Sequence, residues 1–368
     1  MRARGESKIV QQYREELASK RNQLKMQRTN PSGKEASAHN ADIRELRVEL
    51  EAARIQLAQQ ILQDEITEHR DMESLDLVSR GFPEVPDVSS LTNLTSLDLS
   101  FNTVREIQPY VFSSLSRLVS FKAVQNELIE LPDTIAACRH LQVLDLRWNF
   151  LSELPPQLFE CTKLATLALS YNQIAEIPSQ ISSLKALATL KLDVNPISTI
   201  PSLKGLDSLE VLAISKLGTY QEKKAGTKRE RSKRRKFGSL PSDIEHCTAL
   251  KELYAVNNQI KELPSAVCEK LTRLEKLHLN GNRIDRLPQS FTALVNLYQC
   301  DLSRNRLTRD AFQGLNLDLM PSFNPSGGAP SESFFSIEGN VGINTLDDLD
   351  NVRELNEIQH RDSDESDE

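Results

Sequence analysis

The sequence lacks what several protein classes require. No stretch approaches 18 consecutive apolar residues, which argues against a membrane-spanning helix. The start, MRARGE, has no apolar core behind its charges and does not read as a secretory signal. Glu6, Glu15 and Glu16 argue against a mitochondrial presequence despite the arginines. Cysteine is sparse and odd in number, five residues with no CxxC pair. Cys138, Cys161 and Cys247 recur at one phase of a repeat where a small buried apolar side chain is wanted, so a reduced, intracellular protein is expected. The six histidines (His39, His69, His140, His246, His278 and His360) show no metal-ligand spacing with one another or with cysteine. No Walker loop, GxSxG or HExxH is present. The expectation is therefore no metal, no cofactor and no catalysis.

Leucine is what the sequence has in excess. It supplies 53 of 368 residues, against 13 glycines, 12 phenylalanines and one tryptophan, so a repeated core position is implied rather than a mixed core. The stretch LQVLDLRWNFLSELP at 141–155 returns 23 residues later as LATLALSYNQIAEIP at 164–178. Units begin at Met72, Leu94, Leu118, Leu141, Leu164, Leu187, Leu209, Leu250, Leu274 and Leu297, giving ten units over about 72–315. Spacings are 22 to 24 residues except for one of 41, a normal unit carrying about 18 extra residues.

The pattern LxxLxLxxN has a direct physical reading. Its xLxL part alternates, so it is a short strand with every second side chain pointing into the coil, and stacked units pair these strands into one parallel sheet. The asparagine at the ninth position leaves the strand where backbone groups lack partners, and its amide can bond its own and the neighbouring turn. Asn102, Asn126, Asn149, Asn172, Asn195, Asn258, Asn282 and Asn305 form this ladder; Arg80 in the first unit and Leu217 in the seventh depart from it. Proline follows the last Leu or Ile of most units, as at Pro155 and Pro178, and fixes φ for the turn to the convex side. There, short helical or 3₁₀ turns such as Ser179–Leu184 are expected.

This pattern is the leucine-rich repeat. With 23-residue units and an (I/L)Pxx(I/L)xxL back half, it resembles the Shoc2-like, Ras-group intracellular leucine-rich-repeat family, including plant relatives with N-terminal coiled-coil segments. The resemblance covers the repeats and implies a scaffold for small GTPases, phosphatases or kinases. The fold expected is an α/β leucine-rich-repeat solenoid of about ten repeats with a parallel sheet on its concave face. Residues 1–70 are expected to be helical, 72–315 to be repeats, and 316–368 to be a Pro/Ser/Gly linker and a disordered acidic tail.

The flanks carry their own signals. Ile43, Leu46, Leu50, Ala53 and Leu57 form a stripe on a helix expected over about 41–66, which either caps the open first repeat, pairs with a preceding helix, or forms a coiled coil with another chain. Residues 337–368 hold 11 acidic and 2 basic residues, and Ser363 and Ser366 suit an acidophilic kinase. The insertion 218–238 carries a local charge of +7. Its clusters Lys223-Lys224 and Arg234-Arg235-Lys236 resemble a bipartite nuclear-import signal for an import receptor; the alternatives are contact with nucleic acid or acidic lipid, contact with the acidic tail or a partner, or plain solvated charge. Nucleic acid and membrane are not expected partners.

A sheet of ten strands, about 45 Å long, is a surface for another macromolecule. Its outward positions, the third, fifth, seventh and eighth of each unit, include Asp98, Phe101, Lys122, Asp145, Arg147, Trp148, Tyr171, Lys191, Tyr254 and His278. Exposed aromatics beside Arg and Asp are a binding composition; the competing reading of Phe101, Trp148 and Tyr171, all at position eight, is packing along the sheet edge. Tyr254, His278 and Asp301 share position five of consecutive units, but the nearby Cys300 points inward, so they read as binding face rather than catalytic site. The function expected is a non-catalytic scaffold in the cytoplasm, with the nucleus as a second location. The alternative is a nuclear regulatory protein with an acidic tail, associated with chromatin or a phosphatase.

Overall fold

A computed structural model describes residues 15–22, 35–218, 237–321, 332–343 and 345. A long helix, α1 (Glu35–Glu68), precedes the repeats. Its C-terminal half caps the first repeat: Leu62 and Ile66 are buried in the main core, with Ile55 and Ala58 against it. Burying a side chain such as Ile66 contributes about 1.5–3 kcal/mol. The N-terminal half of α1 meets the helical residues 15–22, where Lys20 pairs with Glu16 at 3.2 Å and with Glu49 at 3.4 Å. Capping and pairing with the preceding helix thus coexist.

Ten three-residue strands, β1 (Ser74–Asp76) to β10 (Gln299–Asp301), pair in sequence order as one parallel sheet. The alternation explains the fold: the middle residue of each strand, as Leu144 or Leu167, is buried, and its neighbours face outward. On the opposite side lie 3₁₀ turns such as Asp133–Ala137, Pro156–Glu160 and Ser179–Ser183, and two short helices, α2 (Pro109–Ser114) and α3 (Ser265–Lys270). Pro132, Pro155, Pro178, Pro264 and Pro288 occupy the N-cap position of these turns, where a missing N–H costs nothing.

The sheet continues one strand further than the repeats legible in the sequence. β11 (Phe334–Ser336) pairs with β10, within the segment that composition assigns to linker and tail. Asn340 extends the ladder, donating to the carbonyls of Leu302 (2.9 Å) and Ile337 (2.7 Å) and accepting from the Leu307 N–H.

The ladder itself works as the chemistry of the amide demands. Asn172 Nδ2 donates to Leu146 O and Leu169 O, both at 2.9 Å, while its Oδ1 accepts from Leu151 N at 3.1 Å. One buried side chain thereby bridges two units. The residue before each asparagine makes the turn possible. In all eleven units this eighth position has φ between 53° and 73°: Ser79, Phe101, Gln125, Trp148, Tyr171, Val194, Lys216, Asn257, Gly281, Arg304 and Gly339. Only two are glycine, so nine units hold a side chain in the left-handed region, at roughly 1–2 kcal/mol each.

The insertion is spliced into one hydrogen-bonding position. In most other units a single residue at position eleven, such as Leu151, donates its N–H to the next asparagine and its carbonyl accepts from the following unit. In the seventh unit the donor is Leu217, bonded to Asn258 Oδ1 at 2.8 Å, and the acceptor is Phe237, bonded by Gln259 N at 2.9 Å. Phe237, at the end of the expected 218–238 loop, is therefore core rather than loop. The import-like residues Lys223, Lys224, Arg234, Arg235 and Lys236, and the acidic tail beyond 345, lie outside the described residues.

Candidate protein-binding face

Position five of each unit faces outward, and where it is aspartate the side chain first serves the backbone. Asp98 Oδ1 accepts from Ser100 N at 2.9 Å, and Asp76 and Asp301 do the same in their own units. Units without that aspartate borrow from the preceding unit: Ser100 Oγ accepts from Val124 N and Ser215 Oγ from Val256 N, both at 3.1 Å. Part of the polar surface is thus scaffolding for the strand ends, a role that spacing alone does not reveal.

Near the middle of the sheet the arrangement changes. Arg147 forks onto Asp145, with Nη2 to Oδ2 at 2.7 Å and Nε to Oδ1 at 2.9 Å. This bidentate bond raises the guanidinium pKa further. Trp148 and Tyr171 stack face to face, ring centroids 3.6 Å apart and planes 9° from parallel. Such a pair contributes about 0.5–1.5 kcal/mol, comparable to the backbone strain of one left-handed residue. Trp148 nevertheless stays 48% exposed, so it both packs along the sheet and presents a surface.

Beyond the stack the outward residues become small: Ala168 and Ser170, then Ala213 and Ser215. The result is an open hollow of about 440 Å³, walled by Arg147, Trp148 and Tyr171 on one side and by Glu252 and Tyr254 on the other, with Lys191 and Asp193 between them. Five of the ten residues expected on a binding face, Arg147, Trp148, Tyr171, Lys191 and Tyr254, meet here. Asp98, Phe101 and Lys122 sit one or two strands beyond the Arg147 wall toward the N-terminal end, and Phe101 is 51% exposed. Sequence reasoning missed Asp193 and Glu252, and the run of small residues at positions five and seven is the signal that marks the hollow.

Tyr254, His278 and Asp301 align in register across β8, β9 and β10. The Tyr254 and His278 rings lie 5.0 Å apart, and Phe334 of β11 meets His278 edge-on at 5.8 Å. Burial pushes the His278 pKa below its usual value, against the opposing pull of Asp301. Burial likewise pushes the Tyr254 phenol up to about 12. Cys300 is fully buried and its thiol is pushed well up by desolvation, so it does not join the trio on the face; the hydroxyl-bearing residue in register beside Asp301 is Ser336. The other four cysteines are also free and buried, with thiols raised to about 11 or 12. Away from this face, Asp243, Glu245 and His246 bring side-chain ligand atoms within 4.8 Å of one another, though Asp243 Oδ2 already accepts from Ser202 Oγ.

One parallel sheet, one buried asparagine ladder and a row of convex turns define a leucine-rich-repeat solenoid. Comparison with known proteins agrees. Residues 71–230 match the family model described as leucine-rich repeat region, and 248–296 match leucine-rich repeats (2 copies). The chain has the leucine-rich-repeat fold. It is 29% identical over 249 residues to the human leucine-rich repeats and immunoglobulin-like domains protein 1, covering 66% of this chain but only 17% of that relative. Among solved structures, a leucine-rich-repeat protein of Leptospira interrogans aligns with TM-score 0.59 at 26% identity, over 67% of this chain and 58% of that one. The Arabidopsis receptor kinase HAESA, solved with the peptide hormone IDA and the co-receptor SERK1, aligns with TM-score 0.54 at 26% identity, over 64% of this chain and 39% of that one. No described helix is long and apolar enough to cross a membrane.

Proposed function

We propose that the protein is a non-catalytic intracellular scaffold that binds a protein partner on its concave face, centred on the hollow beside Trp148. The observation that carries this reading is the half-exposed Trp148–Tyr171 stack, braced by the Arg147–Asp145 fork, at the middle of the sheet. Rigid aromatics next to arginine are the residues on which interfaces concentrate their energy. The HAESA neighbour, solved with a peptide hormone, supports a polypeptide as the occupant of such a repeat surface. Five free thiols support a reducing compartment. The resemblance to the Ras-group repeats favours a signalling GTPase, phosphatase or kinase as partner. Hydrogen exchange on the complex with a captured partner tests the site: slowed exchange should fall on residues 143–148 and 166–171. Protection confined to the convex turns would place the contact elsewhere.

A further inference from the structure

The charged side chains around the hollow are nearly all held by neighbouring groups. Arg147 is held by Asp145. Asp193 accepts from Ser215 N through Oδ1 at 2.8 Å and from Ser170 Oγ through Oδ2 at 2.9 Å. Glu252 holds Lys276 at 3.1 Å and the Tyr254 hydroxyl at 3.0 Å. Lys191 is the exception: among the described residues it has no ion pair and no side-chain hydrogen bond.

Strand register explains why. Lys191 lies between Ala168 on β5 and Ala213 on β7, whose methyl groups can neither pair with it nor cover it. Lys122, the other position-five lysine, lies instead between Asp98 and Asp145, two carboxylates. An ammonium with no direct ion partner, set beside an aromatic wall that excludes water from one side, is free to take a carboxylate as its counter-ion. The wall itself offers apolar surface to a large side chain.

Resting on the binding reading above, we propose that the hollow selects a segment of the partner polypeptide that carries an acidic side chain beside a large apolar one, with Lys191 reading the carboxylate and the Trp148–Tyr171 stack receiving the apolar group. The carboxylate is a side chain within an extended segment rather than a chain terminus.

Trp148 is the sole tryptophan, so its fluorescence reports arrival at the hollow. The full chain is titrated with the end-capped peptide acetyl-Ser-Phe-Glu-Phe-Ser-amide and with its twin carrying Gln in place of Glu. The Glu peptide should bind about fivefold more tightly at low salt, the scale of one partly exposed ion pair, and added salt should narrow the gap. Lys191→Met and Lys191→Gln should bind both peptides alike while keeping the wild-type melt. Equal affinity of the two peptides for the wild type, discrimination that survives in both Lys191 variants, or no change in Trp148 emission with either peptide would overturn the proposal. Loss of the preference alone leaves the concave face as the contact. That broader reading fails only if the partner still binds after the face is disrupted.

Discussion

At the scale of the residue, the fold depends on two adjacent positions with opposite needs. Asparagine at position nine must be buried, and Asn172 is fully so, satisfying three backbone groups in two units. Asn172→Leu leaves those groups unpaired at about 1–3 kcal/mol for each that water cannot reach. It should therefore lower the melting temperature well beyond an exposed change such as Gln180→Ala, and a calorimetric scan measures the difference. Position eight must instead adopt a positive φ, and Val194 does so at 55° with a β-branched side chain, the least suited type. Val194→Asn should stabilise the protein by about 1 kcal/mol, read as a higher denaturation midpoint at unchanged slope. The requirement for asparagine is legible in the sequence because one residue type meets it. The demand at position eight is not, because residues as different as Trp148, Val194 and Arg304 all accept the strain.

At the scale of the element, legibility follows how regularly an element repeats. The ten strands and eight ladder asparagines stand out because leucine returns every 22 to 24 residues. β11 does not stand out: Glu332, Phe335 and Ile337 replace the three leucines, and its unit starts 35 residues after Leu297. Its anchor on the concave side is Phe334 against His278. Burial depresses the His278 pKa, Lys276 nearby adds to this, and Asp301 and Glu252 oppose it. The folded protein thus prefers neutral His278, whereas the unfolded chain protonates it near its ordinary value of about 6.5. The stabilising contribution is present above that value and is lost as pH falls through it toward the folded value. Wild type should therefore lose more melting temperature between pH 7.5 and pH 5 than His278→Gln does. Parallel curves for the two proteins would show that His278 is not the titrating group.

At the scale of the whole molecule, the solenoid is a stack whose units contact mainly their neighbours, so insertions on a flank are tolerated if the ladder closes beneath them. Leu217 and Phe237 close it, and removing residues 219–236 leaves Leu217, Gly218 and Phe237 at positions nine, ten and eleven of a 23-residue unit. That deletion should keep a cooperative melt within a few degrees of wild type, and its distribution between cytoplasm and nucleus tests the import reading of the loop. The candidate face was only partly legible. Outward residues follow from period-two alternation, but which of them converge depends on small neighbours and on carboxylates already spent on backbone, as at Asp98. The most direct measurement is co-precipitation with a paired Arg147→Ala, Trp148→Ala variant, set beside Gln180→Ala on the convex side. Truncating central anchors costs an interface about 2 kcal/mol or more. The double variant should therefore lose its partners while keeping its circular dichroism and a cooperative melt, and Gln180→Ala should retain them. Equal recovery of the same partners by the double variant and the wild type would contradict the concave centre as the binding site.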